Sequence, residues 1–362
     1  MKIPTTVITG FLGSGKTTLI RQLLQNTEGK RIALIINEFG DLGVDGDILK
    51  GCGDETCTEE DIMELSNGCI CCTVAEDFIP TLTKLLEREV RPDHIVIETS
   101  GLALPQPLIR AFNWPEISTQ VTVDSVITVV DGDAANKGQF SSNLEAIEKQ
   151  RLSDENLDHE TPISELFEDQ LTCADLIIIN KSDLISVTEI DALKTKLGSK
   201  ARKGVKIIQS TMGNVPCKVL LGQNVNAEKD MQSRHEIHHD HHHDDHHYDD
   251  HHHDDHHHDD HHHDDHHHDD FESFIVSLPE IRDQKEFLKR MEGVIVNHGI
   301  LRLKGFASIE GKPLKMTIQA VGPRIDTYFE NSKSKNNTRE TQLVVIGVSG
   351  LNKDAISSSL AG

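Results

Sequence analysis

Short apolar runs alternate with amphipathic stretches through the first part of the chain. Residues 7–9, 32–36, 94–98, 121–130, 175–179 and 205–208 are brief and rich in Val and Ile, as strands buried on both faces are. Residues 17–25 place Ile20, Leu23 and Leu24 on one helical face. Residues 74–89 do the same with Phe78, Leu82, Leu85 and Leu86, and residues 164–174 form a third helical stretch. Strands separated by helices need crossover connections, so the pattern predicts an α/β fold with a mostly parallel sheet covered on both faces.

After about residue 221 the pattern dissolves into polar residues and then into His-His-His-Asp-Asp pentads. Such a tract cannot bury enough apolar surface to offset its ordering entropy, which predicts a disordered linker over 226–270 between a first domain, 1–225, and a second, 271–362. In the second, Phe274, Val276 and Leu278 alternate as a strand does and residues 281–296 read as a helix. Residues 301–309 and 314–321 flank Gly311 as a hairpin, and 343–348 form a last strand, giving a smaller α+β domain.

Charge narrows the range of partners. The chain carries 36 Lys+Arg against 60 Asp+Glu, a formal net charge of -24. Residues 235–270 hold 14 of those acids and 20 of the 23 His with no Lys or Arg, so the rest of the chain carries -24 + 14 = -10. With no basic stripe to displace counterions, nucleic acid is excluded as a bulk partner. No apolar run approaches the ~20 residues of a membrane span and no secretory leader is visible, which predicts a cytoplasmic protein. Seven Cys, three of them within four residues, suit reduced metal-binding thiols better than a disulfide framework.

Gly10-Phe11-Leu12-Gly13-Ser14-Gly15-Lys16-Thr17-Thr18 joins a predicted strand to a predicted helix. Glycines let backbone N–H groups curl around phosphate oxygens, the helix N-terminus adds its positive end, Lys16 neutralises the β- and γ-phosphates, and the Thr17 hydroxyl reaches Mg²⁺. A dinucleotide fingerprint fails, because Thr18 stands where a third Gly or Ala belongs. Asn180-Lys181-Ser182-Asp183 closes a later strand, and its carboxylate can accept from guanine N1–H and the 2-amino group, favouring GTP over ATP. Glu98 and Gly101 end another strand where a nucleotide hydrolase keeps a carboxylate near Mg²⁺ and a Gly N–H near the γ-phosphate. No Gln follows in sequence to position water, so slow, partner- or metal-stimulated hydrolysis is expected, with Lys16, Thr17 and Glu98 as the catalytic set.

Cys69-Ile70-Cys71-Cys72 supplies soft thiolate ligands for a transition metal. In extended chain Cys71 and Cys72 point to opposite sides, so further ligands are needed; Glu38, Asp41 and His94 are the candidates. Asn37-Glu38-Phe39-Gly40-Asp41 follows the second strand, where a loop can order around Mg²⁺ and the γ-phosphate and so link nucleotide to metal. Cys52, Cys57, Cys173 and Cys217 read as small packed hydrophobes, with Cys52 and Cys57 as a weak auxiliary site at most. The His/Asp tract suits a weakly selective buffer for Ni, Co, Zn or Cu.

Together the phosphate loop, Asn37-Glu38-Phe39-Gly40, Gly68-Cys69-Ile70-Cys71-Cys72, Glu98-Thr99-Ser100-Gly101-Leu102-Ala103, Asn180-Lys181-Ser182-Asp183 and the His-rich stretch resemble the CobW family of metal-handling P-loop GTPases. The resemblance spans essentially the whole chain. It implies that residues Gly10 to Thr18 hold the phosphates, Asn180 to Asp183 the guanine, Thr17 with Glu98 the Mg²⁺, and Cys69, Cys71 and Cys72 a transported metal. It further implies a GTP-dependent metallochaperone delivering Co²⁺ to the cobaltochelatase of cobalamin biosynthesis. Physical chemistry does not reach cobalt, because thiolates in the Irving–Williams order hold Zn²⁺ or Cu more tightly. A zinc-delivering chaperone, a nickel-insertion factor and a passive His-rich metal store are the alternatives.

Overall fold

Unbroken burial along β-branched runs builds the first sheet. The computed structural model describes residues 2–37, 62–65, 78–153, 162–222, 270–322, 324–330 and 339–362. Expectations for Glu38, Asp41, Cys52, Cys57, Cys69, Cys71, Cys72 and the His/Asp tract lie outside the described residues. Among the described residues, β1 (Ile3–Thr9), β2 (Ile32–Asn37), β3 (Ile62–Leu65), β4 (His94–Glu98), β5 (Val121–Asp131), β6 (Leu176–Asn180) and β7 (Lys206–Gln209) form one sheet. Its order is β3-β2-β4-β1-β5-β6-β7, and every pairing is parallel.

Every residue of β4, β5 and β6 is buried, because helices cover both faces. Neighbouring residues serve opposite faces. Ile95 and Ile97 join one core with Leu82, Leu85 and Phe112, while Val96 joins the other with Leu19, Ile20, Leu23 and Leu24 of α1 (Lys16–Gln25). Burying those four α1 side chains contributes roughly 1.5–3 kcal/mol each before entropy is counted. On the first face lie α2 (Ile79–Leu86) and α3 (Pro105–Ala111), followed by the single turn α4 (Pro115–Ser118). Then come α5 (Gly132–Asn136), α6 (Leu144–Ser153), α7 (Ile163–Cys173), α8 (Val187–Lys200) and the short α9 (Cys217–Leu220).

The expected strands are present with small shifts that have local causes. Asp175 stands outside β6 because its Oδ2 accepts from Val126 N–H at 2.9 Å. The helix expected at 281–296 is α10 (Gln284–Asn297), which starts later because Asp283 is its N-cap, accepting from Lys285 and Glu286 N–H at 2.8 and 3.0 Å. α8 carries its own start signal, a capping box in which Ser186 and Glu189 serve each other's backbone N–H. Cys173 and Cys217 are buried thiols outside any disulfide, as a small packed hydrophobe would be.

The second half pairs β8 (Phe271–Leu278), β9 (Ile300–Ala307), β10 (Lys315–Val321), β11 (Arg324–Glu330) and β12 (Thr341–Val348) in the order β11-β10-β9-β12-β8, all antiparallel. β9 and β10 are the hairpin expected around Gly311. α10 and α11 (Lys353–Ala361) close one face through Phe287, Met291, Ile295, Ile356 and Leu360. The halves share a core, since Leu301 and Ile346 pack with Val219, Leu220 and Leu221.

Charges pin that junction. Arg302 Nε and Nη2 donate to the carbonyls of Val219 and Leu220 at 2.5 and 2.6 Å, and Nη1 lies 3.6 Å from the buried carboxylate of Asp124 on β5. Arg324 Nη1 sits 3.3 Å from Asp175 Oδ2, and its Nη2 donates to the Asp124 carbonyl. Arg202 completes the set at 2.9 Å from Asp175 Oδ1. Two aspartates of the first half are therefore matched by two arginines of the second.

Candidate nucleotide and metal site

Parallel pairing brings the strand ends carrying chemistry to one edge. Ile8 is level with Glu98, Thr9 with Thr128, and Asp131 with Asn180, so the phosphate loop, Glu98 and Asn180 emerge together. This is the carboxyl edge, where open α/β sheets bind ligands.

The loop from Gly10 to Gly15 needs its glycines. Gly10, Gly13 and Gly15 have φ of 139°, 77° and 98°, which L side chains rarely adopt. Space forbids side chains as well: a Cβ on Gly10 would overlap the Val129 carbonyl, and one on Gly15 would overlap Asn180 Nδ2. Asn180 fastens the loop, donating from Nδ2 to the Ser14 carbonyl at 2.9 Å and accepting from Gly213 N–H at 3.1 Å. Lys16 is buried, and its Nζ donates to the Gly10 and Phe11 carbonyls at 2.8 and 3.3 Å. Thr17 Oγ1 donates to Glu98 Oε1 at 3.1 Å.

A cavity of about 440 Å³ runs from this loop to the Asn180 turn. Leu12, Gly13, Gly15, Lys16, Thr17, Thr18 and Glu98 line one end; Asn180, Lys181, Asp183, Leu184 and Met212 line the other. The volume falls within the range of small-ligand sites. Its donor set suits a nucleotide with Mg²⁺: a left-handed glycine cradle beside an ammonium for phosphates, and a hydroxyl paired with a carboxylate for a hard cation.

Gly101 lies against the loop, where a Cβ would come 2.7 Å from Leu12 N. No Gln follows Glu98 closely in sequence, yet the fold brings two to Gly101. Gln170 Nε2 donates to the Gly101 and Ala103 carbonyls at 3.0 and 3.1 Å, fixing the turn after Glu98. Gln150 Oε1 would lie 3.3 Å from a Cβ on Gly101. Neither could be found from local sequence, because both arrive on helices from elsewhere.

Asp131 is another residue that motif reading misses. Its Oδ2 pairs with Lys181 Nζ and accepts from Ser142 Oγ, both at 2.6 Å, while Oδ1 caps α5 at Ala134 N–H. Burial alone would raise its pKa; the hydrogen bonds from Lys181, Ser142 and Ala134 outweigh this and hold it below the ordinary carboxylate value. The ion pair positions Lys181 at the cavity wall.

His94 is not brought to this edge. It opens β4, four residues before Glu98 and roughly 13 Å away at the ~3.3 Å rise of a strand. Its Nε2 is 2.9 Å from Thr6 Oγ1 in full burial, so the metal role considered for it is withdrawn. Among the described residues no three His, Cys, Asp or Glu side chains converge as a metal site.

Burial, then the charges of Lys30 and Arg302, push the His94 pKa well below 6.5. Below about pH 6.5 the unfolded chain binds a proton that folded His94 refuses, so its share of stability is lost on acidification at up to ~1.4 kcal/mol per pH unit. His94→Gln should flatten the stability-versus-pH curve between pH 7.5 and 5.5 in urea titrations. Parallel curves for the two proteins would show that His94 takes up its proton in the folded state.

A parallel sheet whose first strand runs through a glycine cradle into Lys16-Thr17, with a carboxylate on the threonine, defines a P-loop nucleoside triphosphatase. The chain belongs to the CobW family of metal-handling P-loop GTPases. Residues 4–220 match the family model "CobW/HypB/UreG, nucleotide-binding domain", and residues 271–362 match "Cobalamin synthesis protein cobW C-terminal domain". The chain is 54% identical over 362 residues to "Zinc chaperone CobW" of Sinorhizobium sp, covering 99% of this chain and 96% of the relative. It is 47% identical over 363 residues to the protein of the same name from Pseudomonas aeruginosa, covering 99% and 91%. Among solved structures, the Zn(II)-bound YjiA GTPase from E. coli aligns over 99% of this chain and 98% of that one, at 20% identity and a TM-score of 0.41. Among the described residues no helix is long and apolar enough to cross a membrane.

Proposed function

We propose that this protein is a GTP-gated zinc chaperone whose Cys69, Cys71 and Cys72 grip the cargo ion when Mg·GTP occupies the phosphate loop. The observation that carries the reading is the register at the carboxyl edge: Ile36 pairs with Glu98 and Asn37 with Leu65. Leu65 precedes Cys69 by four residues, and Asn37 directly precedes Glu38. β2 and β3 therefore end at the same edge as the Thr17–Glu98 pair, with β3 two strands, or roughly 10 Å, from β4.

In this reading Gly10, Gly13, Ser14, Gly15 and Thr18 give backbone N–H groups to the phosphates and Lys16 neutralises them. Asn180, Lys181 and Asp183 select and cover the guanine, and Gly101 meets the γ-phosphate. Thr17 and Glu98 would hold Mg²⁺, which when bound neutralises charge on the phosphate oxygens during transfer. Glu38 and Asp41 link the triphosphate to the thiols. The domain limits 1–225, 226–270 and 271–362 belong to the same proposal, with the His/Asp tract as a low-selectivity buffer feeding a cytoplasmic delivery step.

Zinc is assigned as cargo because both full-length relatives are named zinc chaperones and thiolates prefer Zn²⁺ to Co²⁺. Delivery of Co²⁺ to a cobaltochelatase is the competing reading. Competition with a calibrated chelator decides between them. Zn²⁺ should bind at least about ten-fold more tightly with Mg·GTP than without, and Zn²⁺ should tighten GTP by the same factor. Cys69→Ser with Cys71→Ser should abolish that difference while leaving binding by the His tract. Equal affinities would overturn the gating; retention of Co²⁺ against equimolar Zn²⁺ would restore the cobalt reading.

A further inference from the structure

A second cavity lies where the two halves meet. Its volume is about 160 Å³, the space of roughly five waters at ~30 Å³ each. That admits a tetrahedral oxyanion. Lys30, Lys218 and Gly222 line it from the first half; Arg302, Lys304 and Gln319 line it from the second.

The lining is cationic and incompletely satisfied. Lys30, Lys218 and Lys304 are half-buried, and among the described residues no hydrogen bond or ion pair engages their ammonium groups. Arg302 is buried, and its Nη1 has no hydrogen-bond acceptor, with only the Asp124 carboxylate at 3.6 Å. Nη1 and both carboxylate oxygens of Asp124 stand against Gly222, where a Cβ would overlap all three, and Gly222 and Arg302 both line the cavity. Burial, then the charges of Lys30 and Arg302, lower the Lys304 pKa against the opposing charge of Glu28. The acid on the lining is Glu28, which is exposed.

We propose that this cavity binds a small phosphate-class oxyanion, held by Lys30, Lys218, Arg302 and Lys304 across the junction of the two halves. The site is separate from the nucleotide pocket. The two cavities share no lining residue, and α1, about 15 Å long, runs from the phosphate loop to Gln25, five residues before Lys30. Because both halves supply cations, the bound anion braces their contact. The proposal is independent of which metal is the cargo.

Full-length protein free of transition metal, its phosphate loop saturated with a non-hydrolysable GTP analogue and Mg²⁺, is titrated with inorganic phosphate against NaCl of equal ionic strength. Thermal denaturation and calorimetry give the readout. Phosphate should raise the melting temperature where NaCl does not, and Lys304→Gln and Lys218→Gln should each weaken its binding at least ten-fold. Lys194→Gln, on α8, should leave it unchanged. Glycerol 3-phosphate in a parallel arm separates a site for the free ion from one for a phosphomonoester head, and saturation by either supports the proposal. An equal response to NaCl, or wild-type phosphate binding in both cavity variants, would overturn it.

Discussion

Replacing Lys16 by Ala should lower GTP hydrolysis by at least about a hundred-fold with the fold intact. The ammonium is buried and held between two carbonyls of the loop, at 2.8 Å from Gly10 O and 3.3 Å from Phe11 O. That position puts a full positive charge inside the glycine cradle, where water offers little competition. Removing one preorganised donor of this kind costs roughly 10²–10³ in rate, or about 2.7–4 kcal/mol. Lys16→Arg should not restore activity, because a planar guanidinium presents its donors in a fixed fork that a slot between two carbonyls does not accommodate. Single-turnover hydrolysis and fluorescent-GTP binding measure the two effects separately, with circular dichroism as the folding control. Activity within five-fold of wild type would show that the phosphates lie elsewhere.

The second large effect is structural. Asp124→Ala should destabilise the protein by about 3–5 kcal/mol, the usual loss when one partner of a buried ion pair is removed. Asp124 is fully buried, accepts from Gly222 N–H at 2.5 Å and faces Arg302 Nη1 at 3.6 Å. Without it the buried guanidinium keeps its two carbonyl acceptors but loses its countercharge. Burial raises the Asp124 pKa, and the charges of Arg302 and Arg324 only partly offset it, so the carboxylate depends on the arginines to stay charged. Asp124→Leu combined with Arg302→Met should recover most of the loss, because apolar groups in a buried pair's place are often neutral or stabilising. Urea denaturation of the two singles and the double gives the coupling. Simple additivity of the singles would mean that the pair contributes nothing specific.

Legibility in the sequence followed the range of the interactions involved. β4 falls at 94–98, as its apolar run predicts, and the glycine loop was legible because strand, spacing and helix lie within one short stretch. Asn180 was legible from its neighbours, although its grip on Ser14 was not. α8 was missed despite a readable signal, Ser186 with Glu189 three residues on, ahead of periodic Ile190, Leu193 and Leu197. β11 was missed because Arg324, Asp326, Thr327 and Glu330 break any apolar run on this edge strand. Asp131, Gln170 and Asp124 lay beyond local reading. A lone Asp in the run Val121-Thr122-Val123-Asp124 signals a buried charge, but its contact Arg324 is 200 residues away.

The way Arg302 and Arg324 enter the nucleotide-binding half has a practical corollary for anyone cutting the chain into pieces. A fragment ending near Gly222 would bare the patch formed by Val219, Leu220 and Leu221 and strip Asp124 and Asp175 of cations that residues 302 and 324 provide. Poor yield or aggregation of such a fragment would reflect the severed seam and leave GTP turnover unjudged. Dissection by point substitution in the intact polypeptide is the cleaner route.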